Sequence, residues 1–253
     1  MEKATLNKVA EITALFWIMK IIATTLGETL GDFIAHTLGL GYSVGILITL
    51  AFFVFVLTIQ LYSKKYVPLY FWLVIIATTT LGTEISDFMD RSLGLGYSVG
   101  SFILFIGLIA MLAVWYSQYK NLEVYPIIEK KKEVFFWTAV LFSNSLGTAF
   151  GDYLSDVAGL SYIYGALVTA GIIGVVLLLH YYTKINQVIL FWIAFVFTRP
   201  FGATFGDLLT KPLNKGGLDL RTLPASIVSI VLIGFLIYIA HRQHKKKQQE
   251  ITV

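Results

Sequence analysis

Four tryptophans each stand fifteen residues before an aspartate: Trp17 and Asp32, Trp72 and Asp87, Trp137 and Asp152, Trp192 and Asp207. A glycine lies five residues before each of these aspartates, at Gly27, Gly82, Gly147 and Gly202. A small residue immediately precedes each one: Gly31, Ser86, Gly151 and Gly206. One unit is therefore written four times, at offsets of 55, 65 and 55 residues. A repeat of this kind limits the fold to stacked or ring-like copies of one motif before any local propensity is considered.

Apolar segments cover approximately residues 11–35, 42–62, 67–89, 97–117, 133–155, 161–182, 187–209 and 222–241. Each is near the roughly 20 residues that a helix needs to cross a bilayer core. Only 13% of the 253 residues are charged, against about 25% in soluble domains. Strand-type alternation is absent, so closed backbone hydrogen bonding within lipid leaves the helix. The expected fold is an all-α polytopic membrane protein. Eight transmembrane helices form four parallel helix-hairpin repeats around a pseudo-symmetry axis, over residues 11–62, 67–117, 133–182 and 187–241. The whole chain, residues 1–253, is expected to be one transmembrane domain. A charged linker spans 118–132 and a basic tail 242–253.

An even number of spans puts both termini on one side. That side receives 13 lysines and arginines, at positions 3, 8, 64, 65, 120, 130–132, 184, 242 and 245–247, and the other receives four, Arg91, Lys211, Lys215 and Arg221. The bias places the termini in the cytoplasm, in a bacterial inner membrane. The N-terminus lacks a cleavage-site pattern, so an uncleaved first helix is expected. The basic residues lie in loops and tails, which argues against nucleic acid as a partner and for the lipid bilayer. The chain has no cysteine, which excludes disulfides and thiolate metal sites.

Within the copies, Gly27 and Gly31 and their equivalents fall four residues apart on one helix face, a spacing that lets backbones approach closely. The acids follow directly. At about 1.5 Å per residue each aspartate lies roughly 22 Å from its tryptophan. With Trp17 at the membrane edge, Glu28 falls near the midplane and Asp32 beyond it. The first two copies add Glu28 and Glu84 on the same helix faces as Asp32 and Asp87. Glu28, Asp32, Glu84, Asp87, Asp152 and Asp207 then face two embedded bases, Lys20 and Arg199. Like carboxylates gathered in low dielectric must hold protons, bind a cation, or both. Glu28, Asp32, Glu84 and Asp87 are the candidate metal ligands. No covalent cofactor is expected; a bound hard cation suits these oxygens.

Arg199 reads either as an internal counter-ion or as a salt bridge orienting its helix. Lys20 is expected to snorkel to the interface. Thr24, Thr25, Thr79, Thr80 and Asn144 supply supporting polar groups. His36 stands one turn beyond Asp32, as a rim residue or a proton relay. Trp17, Trp72, Trp137 and Trp192, each following a phenylalanine, read as an aromatic belt or as a cation–π gate.

The four Phe–Trp pairs, the TTLGETLGD stretch at 24–32 and the GLGYSVG turns at 39–45 and 94–100 resemble a bacterial membrane-protein family of unknown function. That family is built from four tandem two-helix repeats, each with a recurrent tryptophan. The resemblance implies an architecture and no activity. The G-E-x-x-G-D run also looks like the acidic signatures of cation exporters, by analogy alone. The expectation is a secondary transporter or exporter of an inorganic cation (Mn, Mg or Na), proton-coupled, and not an enzyme. A structural or sensing membrane protein is the alternative. An intramembrane aspartyl enzyme fits less well, because Thr29, Glu84, Ala149 and Thr204 occupy the position where its motif needs glycine.

Overall fold

The computed structural model describes residues 7–252; Lys3 and the end of the tail, Val253, lie outside them. Among the described residues eight helices are long and apolar enough to cross a membrane. They are α1 (Ala14–Asp32), α2 (Gly41–Tyr62), α3 (Pro68–Asp87), α4 (Gly96–Tyr119), α5 (Lys130–Asp152), α6 (Tyr162–Tyr182), α7 (Gln187–Thr210) and α8 (Thr222–Thr252). The architecture is that of a polytopic membrane protein. α5 starts three residues before the expected 133, and α8 absorbs the basic tail as continuous helix.

The odd helices form a closed ring in which α1 packs on α3, α3 on α5, α5 on α7, and α7 back on α1. The small residues make this ring possible. A Cβ added at Gly27 would strike Thr79, one at Gly82 would lie 3.0 Å from the backbone of Ser145, one at Gly147 would strike Arg199, and one at Gly202 would strike Thr24. The next small position repeats the pattern at 3.0 Å: Gly31 against Thr83, Gly151 against Ala203 and Gly206 against Glu28. Each copy thus presents its glycine face to the following copy, and the fourth closes on the first. Close backbone approach replaces the hydrophobic drive that lipid cannot supply.

The even helices lie outside this ring. α2 packs on α3, α4 on α5, α6 on α7 and α8 on α1. Each helix therefore crosses from its own repeat to the odd helix of the next. It does so with a narrow stripe: Gly45, Thr49, Phe53, Val56 and Gln60 on α2, and Gly100, Leu104, Leu108 and Trp115 on α4. The remaining faces expose large apolar residues such as Leu47, Phe55, Phe102 and Leu178, as lipid-facing surfaces do.

Two features of the turns were not written in the periodicity. α1, α3 and α5 each end at the recurrent aspartate and continue as a five-residue π-helical turn: Phe33–Thr37, Phe88–Ser92 and Tyr153–Val157. α7 continues as α-helix to Thr210 instead. Gly39, Gly41, Gly94 and Gly96 then take φ between 67° and 72°, a left-handed conformation that explains the Gly-Leu-Gly of the turn motif.

At the opposite end the linker is not a free charged loop. Ile127 and Val124 are buried. The Lys8 N–H donates to the Ile127 carbonyl at 2.9 Å, and the Tyr66 N–H donates to that of Asn7 at 2.7 Å. Lys8, expected as a loop charge, is buried and ion-paired with Glu133, whose other oxygen accepts from Gln60 Nε2 at 2.8 Å.

Candidate functional site

The ring axis is built in layers four residues apart, so each lies about 6 Å above the last. Its floor is aromatic. Phe16, Phe71, Phe136 and Phe191 come from the four copies, with Phe16 5.6 Å from Trp72 and Phe71 5.3 Å from Trp137 between ring centroids. The Trp72 and Trp137 side chains are fully buried, Trp192 is buried and Trp17 partly so. The tryptophans therefore belong to this packed floor and not to a lipid-facing belt.

The next layer holds Lys20, which does not snorkel. It is wholly buried, donates to Asn144 Oδ1 at 3.0 Å and lies 4.1 Å over the Phe195 ring. Asn144 donates in turn to Thr78 Oγ1 at 3.0 Å. Ring packing leaves no route for the lysine stem to the interface, so an amide and a π-face take the place of water.

Above it Arg199 reaches across the ring. Its Nη2 donates to Glu28 Oε2 at 2.9 Å and to Thr83 Oγ1 at 2.6 Å. Its Nε and Nη1 have no partner among the described residues. Thr24 and Thr79 tie neighbouring odd helices by donating to the carbonyls of Thr198 and Ala23. Thr80 bonds its own helix, and the Thr25 hydroxyl is unpartnered; neither joins the carboxylates.

The four aspartates lie two layers above Arg199 and one above Glu28, and here the two-base reading of the sequence is incomplete. Arg91 lies 3.6 Å from Asp87 and 3.2 Å from Asp152. Lys211 lies 2.7 Å from Asp32 and 3.0 Å from Asp207. Both occupy the register of His36 and Asp156, so cations alternate around the mouth in copies two and four. Burial works against the charge on Lys211, but the Asp207 and Asp32 carboxylates outweigh it and hold its pKa well above the usual lysine range. The turn motif contributes as well. Tyr42 OH meets His36 Nε2 at 2.9 Å and accepts from Arg91 Nη1 at 2.8 Å, and Tyr97 OH accepts from Arg91 Nε at 3.0 Å. His36 is half exposed at this rim, 3.7 Å from Asp32.

Two groups of acceptor atoms come within 4.8 Å of one another: Glu28, Asp32 and Asp207, and Asp32, His36 and Asp87. The first joins α1 and α7, copies one and four, a pairing that linear order conceals. Asp152 joins through Arg91. Glu84 does not reach the axis: its carboxylate lies in the seam between α3 and α2, against Gly45. The i,i+3 spacing put Glu84 and Asp87 on one broad face, but the seam and the axis divide that face between them.

The spacing and the closed ring of four equivalent odd helices agree with one family profile. It is described as Repeat of Unknown Function (DUF347), and it matches residues 15–66, 70–121, 135–186 and 190–246. The chain belongs to the DUF347 family. The four DUF347 matches begin at the same 55, 65 and 55 residue offsets as the tryptophans. Each match covers an odd helix and the even helix that follows, so the family's unit of sequence is the hairpin, while the packing unit straddles two hairpins. No curated protein and no solved structure matches the chain.

Proposed function

We propose that this DUF347 protein is a secondary transporter of a small inorganic cation, held where Glu28, Asp32 and Asp207 converge, in a bacterial inner membrane with both termini cytoplasmic. The observation that carries the reading is the convergence of three buried carboxylates from α1 and α7 within 4.8 Å, two of them on the ammonium of Lys211. Oxygen donors of this kind suit Mg, Mn or Na. Lys211 lies at the end of α7, beside the longer turn that only copy four possesses. It acts as a tethered cation that holds the carboxylates together and gives way to the substrate. Arg199 stays on Glu28 and keeps the site from collapsing when Lys211 leaves.

A cation that binds only the folded protein raises its stability, by about 2.7 kcal/mol at 100 times Kd. Purified protein in detergent is therefore melted against a panel of cations. A cation-specific rise in Tm is expected, larger at low concentration in Lys211→Gln, where the competitor is gone, and lost in Asp32→Asn. The same cation is then followed into proteoliposomes. A flat panel for both the wild type and Lys211→Gln would sink the reading.

One observation favours a second reading, a non-transporting structural or sensing protein. Arg91 and Lys211 already ion-pair with all four aspartates, so the mouth can serve as a self-contained clamp. That reading expects Lys211→Gln combined with Asp32→Asn and Asp207→Asn, which removes all three partners together, to melt near the wild type, with flux absent from both.

A further inference from the structure

In the second copy the axis leaves two buried acids unused: Asp90, which accepts from Ser86 Oγ at 3.5 Å, and Glu84. Its side chain is 1% exposed, and neither carboxylate oxygen has a hydrogen-bond partner among the described residues. It rests against Gly45 of α2, where an added Cβ would lie 2.5–2.7 Å from the carboxylate atoms. The glycine of the turn motif thus leaves room for this group. The equivalent positions are not ionisable: Thr29 bonds Ser226 at 2.9 Å, Ala149 is apolar, and Thr204 packs against Gly165. Only the second copy places an acid in this seam.

The surroundings offer no cation. α2 has no acidic or basic residue between Gly41 and Tyr62, and its only titratable groups are the tyrosines at its ends. The charges of α1 that act on Glu84 are Asp32 and Glu28, both negative. Asp87 at the end of α3 and Asp90 in the π-helical turn after it are acids, and Arg91 is engaged with Asp87 and with Asp152 of α5. The apolar stretch of α8 over 222–240 has no acid or base. An ionised carboxylate without a partner in such a place is costly, and Glu84 belongs to neither group of side chains close enough together to share a metal ion.

We propose that Glu84 is a proton-carrying site, a neutral carboxylic acid in the α2–α3 seam set apart from the cation-holding carboxylates. Its protonation stands on the seam alone. Its use as the coupling proton rests on the transport reading, with the proton passing through the seam while the cation passes along the axis. Such an acid is a target for a lipophilic carbodiimide. The carboxyl proton passes to a carbodiimide nitrogen, a carboxyl oxygen bonds the central carbon, and the O-acylisourea rearranges to an N-acylurea without a leaving group.

The test is infrared spectroscopy of the full chain in lipid at neutral pH, with dicyclohexylcarbodiimide labelling mapped by mass spectrometry. The expected result is a protonated-carboxyl C=O band that loses intensity in Glu84→Gln, and an adduct on Glu84. A wild-type spectrum without that band, or a band unchanged in Glu84→Gln, overturns the proposal. If Glu84→Gln does not fold, labelling of the wild type decides. An adduct at Glu84 upholds the site, and an unlabelled Glu84 overturns it. Neither readout uses flux. A protonated Glu84 in a protein that moves no cation would retire the transport reading alone, and cation flux with an ionised Glu84 would retire this one.

Discussion

A methyl group added at Gly27 would meet both the side chain and the backbone of Thr79. Helix propensity favours Ala over Gly by about 1 kcal/mol, but overpacking at a tight contact costs typically 1–3 kcal/mol. Gly27→Ala is therefore expected to lower Tm in mild detergent, whereas Gly234→Ala, on α8 with nothing within 4 Å of the added carbon, is expected to raise it. Equal shifts of the same sign would show that the ring does not depend on close approach at this glycine. The four-residue spacing of small residues made this contact legible in the sequence. The partners of the aspartates were not legible in the same way. Arg91 and Lys211 read as loop charges on the far side, because hydropathy cannot show that a turn folds back over the axis. Lys20 misled for a related reason. Its distance from Trp17 implied an interface, and the structure turns that interface into a closed aromatic floor.

Elements are joined at the terminus-bearing end by charge as well as by packing. Lys8 from the N-terminal segment, Gln60 from α2 and Glu133 from α5 form one buried network, and Lys8 Nζ also donates to the Leu61 carbonyl at 3.0 Å. Removing one partner of a buried pair costs about 3–5 kcal/mol, because the other is left unpaired, while replacing both by apolar groups is far milder. Lys8→Met and Glu133→Met are each expected to destabilise strongly, and the double variant to recover most of the loss in Tm. Additive losses would show that the residues act separately. Apart from the end of α8, which runs on through the basic tail to Thr252, the helices themselves were readable to within a few residues, since each is a long apolar run between charged or glycine-rich breaks. The π-helical turns after Asp32, Asp87 and Asp152 were not, because one wider turn leaves the apolar pattern unchanged. The Lys8–Glu133 pair was hidden by its span of 125 residues and by the lysines at 130–132 just before Glu133, which suggested an exposed linker.

Across the whole molecule, the crossing of each even helix onto the next odd helix makes the repeats mutually dependent. A hairpin cut out by its sequence boundaries loses the partner that its even helix covers and the helix that covers its own odd one. The two halves are joined by two such crossings, α4 onto α5 and α8 onto α1, together with the ring contacts α3–α5 and α7–α1. Only the linker between Tyr119 and Lys130 connects them covalently. Chain connectivity therefore contributes little that packing does not already specify. Cleavage within 120–129 is expected to leave an assembled molecule, though Ile127 and its bond to Lys8 favour a cut near Asn121. Expressed separately, each half exposes one glycine-lined ring face and one uncovered odd helix, and is expected to be degraded or to aggregate. Expressed together, with a tag on one half only, the two are expected to copurify from mild detergent in equal amounts. The same experiment separates this architecture from a bead-like one. If each hairpin were self-contained, the halves would be stable alone and would not need to find one another. A first half that purifies alone as a stable monomer would contradict the crossed packing. Copurification that fails on Gly82→Leu, at the α3–α5 contact, would place the joint at the ring.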